Sequence, residues 1–298
     1  MEVLTLWPLS QGEIDGVEED LIDRLFADET KWPARPRDDP RGLVGRLLHG
    51  GYPEAIQPEA EDRRRAWFGA YITTILQRDV REIANIEGLT DLPRLLALLA
   101  GRTCSLLNFA DLSRSLMIPQ TTLKRYMTLL EATFLVQPLP AWSTHLGKRL
   151  VKAPKLALND TGLLAYLLGV DETRLKQDRS LLGGLLENFV RMELCKQATW
   201  SVVQPRLFHF RTQTGQEVDI ILENAAGKLV GIEVKSSAQI TGDDFKGLRA
   251  LQELAGRRFV QGVVFYTGAE PVPFGPRLWA LPMAYLWQRA SGSKAVRR

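Results

Sequence analysis

The residues most able to do chemistry stand close together in the last third of the chain. Asp219 lies within Val218-Asp219-Ile220-Ile221-Leu222, and Ile232-Glu233-Val234-Lys235 follows, with Glu233 14 positions after Asp219. Both runs read as β-strands, where successive side chains alternate between faces. Alternation predicts Val218, Ile220 and Leu222 on one face with Asp219 opposite, and Ile232 and Val234 on one face with Glu233 and Lys235 opposite. Charges on such apolar strands cost several kcal/mol if merely buried, so a compensating group is expected. Paired carboxylates suit Mg²⁺, which prefers oxygen ligands and retains waters. A neighbouring ammonium stabilises charge on a phosphorane or orients an attacking water. Glu187, on an upstream helix, supplies a third carboxylate. The candidate catalytic set is therefore Asp219, Glu233, Lys235 and Glu187, with Asp219, Glu233 and Glu187 as ligands for Mg²⁺. The competing reading is an internal ion-pair network in which Lys235 neutralises Glu233 or Asp219. Arg211, nearby, serves either as a phosphate ligand or as a strand-edge solubiliser.

These residues need a sheet and helices to hold them. The spacing predicts a helix over 181–197 and strands over 207–212, 217–223 and 229–235. A helix over 243–255 and a strand over 259–266 complete this alternating α/β stretch. The first half reads as helical. Apolar residues recur at near-helical spacing over 13–30, Pro and charge mark a loop or linker over 31–41, and a long helix is expected over 59–86. Another is expected over 92–100, with Pro93 in its first turn. The expected fold class is thus α/β, or α+β overall: a helical and winged-helix-like N-terminal half, then a mixed sheet flanked by helices. The expected domains are 1–60, 61–160 and 161–298.

Residues 109–136 carry a second function-bearing pattern. A short helix over 109–116, a turn at Met117-Ile118-Pro119 and a helix over 120–131 precede a strand candidate at Phe134-Leu135-Val136. The second helix places Leu123, Tyr126, Met127 and Leu130 on one stripe, leaving Lys124 and Arg125 to point elsewhere. This is the layout of a winged helix-turn-helix, whose second helix enters the DNA major groove. Helix pairs with the same pattern also occur that only pack on each other. Lys148, Arg149, Lys152 and Lys155 follow, and between 101 and 160 there are 8 basic and 3 acidic residues. The candidate nucleic-acid contacts are Lys124, Arg125, Lys148, Arg149 and Lys152. Charge is uneven along the chain. Residues 1–40 carry 11 acidic and 4 basic side chains, against 24 acidic and 34 basic in the remainder. A basic body attracts polyanions, and the acidic start can shield it.

Asp219 followed by Glu233-Val234-Lys235, with Glu187 upstream, resembles the PD-(D/E)xK nuclease core. The resemblance implies a restriction-endonuclease-like mixed sheet and a metal-dependent site formed by an acid on a helix, an Asp on one strand and Glu-x-Lys on the next. The segments LVKAPKLALNDTGLLAYLLG, LLENFVRMEL, FHFRTQTGQEVDIILE and LVGIEVKSS, with YPEA at 52–55 and WFGAYITTILQRDVREI at 67–83, resemble more widely. They are similar to an uncharacterised C-terminal domain of prokaryotic AAA-type P-loop ATPases. The similarity runs from about residue 40 onward. The P-loop itself is missing: Gly45 to Gly50 is followed by Gly51-Tyr52, without the Lys and hydroxyl of G-x-x-x-x-G-K-[ST]. Met1 to Ser10 resembles the last strand of the ATPase core, so an N-terminally shortened member without an ATP site or ATPase activity is expected. The resemblance implies a DNA partner and phosphodiester hydrolysis. The alternative is a catalytically inactive regulatory or interaction module, acting with an intact ATPase or by self-association.

The 298 residues are 45% apolar and 24% charged, which excludes disorder, collagen and disulfide scaffolds. Cys104 and Cys195, and the scattered His49, His145 and His209, lack the spacing of a zinc site. The oily run from Leu95 to Leu107 is broken by Gly101 and Arg102 and is shorter than the ~20 residues of a spanning helix. With no basic n-region at the start, a cytoplasmic protein with no membrane partner is expected.

Overall fold

Glycine and proline punctuate the helical first half. The structure, a computed structural model, describes residues 5–27, 32, 39–57, 60–80, 91–144, 149, 152–212 and 214–288. Helix α1 (Gln11–Asp15) opens on a capping box between Ser10 and Glu13 and ends at Gly16, whose φ of 68° forms a left-handed cap. α2 (Leu21–Leu25) follows, so the apolar spacing over 13–30 becomes two short helices. α3 (Gly42–His49), α4 (Pro53–Ile56) and α5 (Glu61–Thr74) come next. α5 passes into a π-helical turn, Ile75–Asp79; residues 81–86 of the expected long helix lie outside the described residues. α6 (Leu92–Gly101) starts with Pro93 in its first turn.

α7 (Phe109–Leu116) is capped by the Asn108 side chain and stops at Met117, which takes the left-handed φ of 57°. α8 (Gln120–Ala132) follows Pro119, and both helices match the sequence expectation to within a residue. Strand β1 (Val136–Leu139) pairs antiparallel with β2 (Lys155–Leu158), starting two residues later than expected. α9 (Thr161–Leu168) is capped by Asp160, and α10 (Glu172–Gln177) by Asp171. α11 (Leu181–Gln197) is the long helix expected there.

The second half holds a mixed sheet. Its strands are β3 (Arg206–Arg211), β4 (Glu217–Glu223), β5 (Leu229–Val234), β6 (Phe259–Tyr266), β7 (Val272–Gly275) and β8 (Leu278–Pro282). Their order is β3-β4-β5-β6-β8-β7. β4 is antiparallel to both β3 and β5, and β6 lies parallel to β5 after a crossover through α12 (Lys246–Ala255). β8 is parallel to β6 and β7 antiparallel to β8. The expectation of a helical half followed by a mixed sheet holds.

The chain forms two compact units whose segments interleave. The first comprises Met1–Pro8, Val44–Pro140 and Gly147–Asn188; the second comprises Leu9–Leu43, Ala141–Leu146 and Phe189–Arg298. The division therefore falls inside α11. In the first unit, Leu92, Leu95, Leu96 and Leu99 of α6 share one core with Leu112, Leu116, Leu123, Tyr126, Met127 and Leu130 of the helix pair. In the second, Leu248 and Leu251 of α12 are fully buried against Val218, Ile221, Phe245 and Val264.

The second unit is completed by sequence-distant pieces. Gln261 of β6 donates from Nε2 to the Leu25 carbonyl at 2.7 Å. A Cβ on the neighbouring Gly262 would point at Leu248 of α12. By strand alternation, Gln261 and α2 therefore belong to the other face of the sheet. At the β3 edge, Ala141 forms a parallel bridge with His209, and the Trp142 N–H donates to the His209 carbonyl at 2.6 Å. The Trp142 ring is fully buried and its Nε1 donates to Glu223 Oε1 at 3.1 Å. This pairing covers part of a sheet edge that would otherwise present unpaired backbone groups.

Candidate metal centre and nucleic-acid face

Asp219 owes its position to a β-bulge. Phe208 of β3 pairs with Ile221, yet Phe210 pairs with Val218, so β4 spends one more residue than β3 over this stretch. The bulge changes the faces expected from straight alternation. Val218 and Ile221 both join the core under α12. Ile220 pairs with Ile232, and Leu222 with Val230, on the opposite face. Four apolar residues among Val218–Leu222 hide the irregularity from hydrophobic periodicity.

The regular β4–β5 pairing stops at Ile220 and Ile232. One step further, the Val234 N–H has a side-chain acceptor in place of a ladder carbonyl: it donates to Asp219 Oδ2 at 3.0 Å. Its neighbour, the Lys235 N–H, donates across β6 to the Phe265 carbonyl at 2.8 Å. Asp219 thus ends the ladder and faces Glu233, with which it shares a hydrogen bond. The Lys235 ammonium lies 3.4 Å from Glu233 Oε2. These three expected residues do converge at the end of two adjacent strands.

Glu233 is 6% exposed. Burial first, and the nearby Asp219 charge second, push its carboxyl well above the usual range, against the pull of Lys235. Burial alone would lower Lys235, but the charges of Glu233 and Asp219 outweigh it and raise the ammonium above its ordinary value. Two carboxylates are thus crowded beside one cation. Arg211 is exposed, with its guanidinium 3.8 Å from Glu217 Oε2.

Glu187 belongs to the first unit. Lys155 Nζ donates to its Oε1 at 2.8 Å. The next residue, Asn188, spans Thr103 and the Leu158 backbone, accepting from both and donating to the Leu158 carbonyl. Among the described residues, no three of His, Cys, Asp and Glu gather in a way that would hold a metal ion. Asp219 and Glu233 form a carboxylate pair. The pair fits a hard divalent cation as a partial donor set, because Mg²⁺ takes oxygen ligands and commonly binds through one or two carboxylates, with waters and phosphate oxygens filling the rest.

Sequence reasoning missed Gly247. An isolated glycine inside an amphipathic helix costs about 1 kcal/mol relative to alanine, so it calls for a packing reason. A Cβ there would fall on the Glu217 carbonyl oxygen and come within 3.0 Å of Glu233 Oε1.

In the first unit, Lys124 and Arg125 are both exposed on α8, while Leu123, Tyr126, Met127 and Leu130 are buried. Lys124 Nζ lies 5.9 Å from the centre of the Phe109 ring. Lys152 is exposed and Arg149 half-buried; Lys148 lies outside the described residues. Lys155, counted among the basic residues of this stretch, is 4% exposed and engaged with Glu187, so it adds nothing to a basic surface.

Among the described residues, no helix is long and apolar enough to cross a membrane. No solved structure matches the chain. Residues 41–174 match the family described as Domain of unknown function (DUF8612). The chain is 30% identical over 248 residues to the uncharacterized proteins Mb2031c of Mycobacterium bovis and Rv2008c of Mycobacterium tuberculosis, covering 83% of its own length. It spans about half the length of these relatives, 54% of each. Residues 182–286, which carry the Asp219 centre, match the family described as Domain of unknown function (DUF4143).

Proposed function

We propose that the second unit is a divalent-metal-dependent phosphodiester-cleaving domain and that the helix pair of the first unit holds DNA. The observation that carries this reading is the Asp219–Glu233–Lys235 cluster at the β4 bulge. An ion-pair role alone needs one acid for one lysine. Here a second carboxylate is pressed against the first, with a burial cost that a cation would remove. Asp on one strand and Glu-x-Lys on the strand paired beside it is also the arrangement that the nuclease resemblance implies.

Asp219 and Glu233 would hold Mg²⁺ or Mn²⁺. When bound, such an ion supplies Lewis-acid polarisation of a phosphate oxygen. Lys235 is kept cationic by its two acidic neighbours and offers positive charge to the developing phosphorane or a donor to the attacking water. Exposed Lys124 and Arg125 supply the electrostatic attraction that phosphate backbones require.

One observation favours the second reading, a non-catalytic interaction module. The third carboxylate expected at the centre, Glu187, is bound by Lys155 within the first unit. A cleavage assay on linear and branched DNA with Mg²⁺ or Mn²⁺, with Glu233→Ala as control, separates the two. Metal-dependent cleavage lost in the variant supports the nuclease. Intact DNA under every condition leaves the interaction module.

A further inference from the structure

Three glycines set the depth at which α12 lies on the sheet. Gly231 of β5 and Gly262 of β6 are register partners on adjacent strands. A Cβ at Gly231 would stand 2.6 Å from Leu248 Cδ2 and 2.9 Å from Leu251 Cδ2, and one at Gly262 would stand 3.2 Å from Leu248 Cδ1. Both leucines are fully buried on this glycine floor. The third glycine, Gly247, is on the helix itself and faces Glu217, whose carbonyl oxygen occupies the place of its absent side chain. Glu217 lies two residues before Asp219 on the bulged strand. The contacts at Gly231 and Gly262 are with side-chain ends, those of Leu248, Leu251, Leu278 and Val218 and the Phe259 ring; the contact at Gly247 is with backbone and cannot be relieved by a rotamer change.

We infer that Gly247 is a positioning residue for the carboxylate pair: it lets α12 sit against the β4 bulge, which aims Asp219 at Val234 and closes α12 over Glu233. This inference rests on the metal-site reading given above. The helix contributes no ligand; its closeness fixes two that come from the strands. A methyl group at Gly247 lifts α12 off the bulge or displaces the Glu233 carboxylate, since Glu233 Oε1 would be only 3.0 Å away. The Asp219–Val234 hydrogen bond then loosens, while the Lys235 N–H, bonded to β6 on the other side, is unaffected.

The test uses the full chain with Gly247→Ala and, separately, Gly231→Ala, whose methyl group meets side-chain ends of Leu248, Leu251 and Val218 and no backbone. Amide hydrogen exchange at Val234 is read against exchange at Lys235, together with Mn²⁺ affinity by calorimetry. Gly247→Ala is expected to speed Val234 exchange at least tenfold relative to Lys235, and to weaken Mn²⁺ binding by at least tenfold. Gly231→Ala should move both in the same direction by less, and it carries the test if Gly247→Ala fails to fold. Equal protection of Val234 in parent and variants overturns the inference, as does a loss of protection shared equally by Lys235, which would mark plain destabilisation. The exchange ratio needs no metal. A parent that binds no Mn²⁺ therefore refutes the metal reading while the positioning role of Gly247 is still decided.

Discussion

Glu19 and Glu233 are both carboxyl groups pushed upward by burial, but they sit in opposite situations. Glu19 has its donors in place: Ser10 Oγ donates to one oxygen at 2.5 Å and the Gly12 N–H to the other at 2.8 Å. Buried Glu193 accepts from the Gln11 N–H and from Lys196, which also donates to the Leu9 carbonyl. Two buried acids therefore share one buried ammonium. Burial first, then the Glu193 charge, raise Glu19 from 4.5 to about 8, against the pull of Ser10, Gly12 and Lys196. Between those values the folded chain keeps a proton that the unfolded chain has lost. The contribution to stability is thus complete below about pH 4.5 and falls as pH rises, by roughly 1.4 kcal/mol per unit, levelling off above about pH 8. Urea unfolding of parent and Glu19→Gln between pH 5 and 8.5 should show the parent losing stability relative to the variant as pH rises. A constant difference across that range would contradict the protonated state. Glu233 acts in the same direction, but its neighbour is a second carboxylate. Gln at 233 is isosteric with the protonated acid and carries no charge to repel Asp219. Glu233→Gln should therefore melt no lower than the parent in the presence of a chelator, as checked by calorimetry.

Elements differ in how plainly the sequence announces them. α7 and α8 were legible because Leu123, Tyr126, Met127 and Leu130 repeat at helical spacing and Pro119 punctuates the turn. β4 was legible as a strand but not as a bulged one, because its apolar run is continuous where the extra residue enters. The pair β7 and β8 and the edge role of Trp142 were not read at all, since both depend on pairings with partners far along the chain. Trp142→Ala should cost the second unit about 3–5 kcal/mol, the range for deleting a buried aromatic ring. Denaturant unfolding checks this, and a loss below 1 kcal/mol would mean that the edge is held by backbone pairing alone. On α8, Lys124→Glu with Arg125→Glu should leave stability within about 0.5 kcal/mol, as both side chains are exposed. The same double reversal should weaken DNA binding and reduce its dependence on salt, as followed by fluorescence anisotropy. Unchanged binding would assign the two residues to solvated surface.

At the scale of the whole molecule, the two compact units do not follow linear blocks of sequence. Leu9–Leu43 and Ala141–Leu146 build the second unit together with Phe189–Arg298, an arrangement invisible to composition or local periodicity. What the sequence did show at long range was a cluster of charged side chains. Asp219, Glu233 and Lys235 meet because adjacent antiparallel strands joined by a short turn must bring them together. Glu187 was assigned by its place upstream, without a pairing constraint; Lys155 donates to its Oε1. The central claim is that the carboxylate pair is a cation site. Calorimetric titration with Mn²⁺ tests it most directly, on the parent and on Asp219→Ala and Glu233→Gln with circular dichroism verifying their fold. The account predicts saturable binding to the parent, with a rise in melting temperature that grows with occupancy, and neither effect in the two variants. A parent that binds no Mn²⁺, or variants that bind it as tightly as the parent, would contradict it.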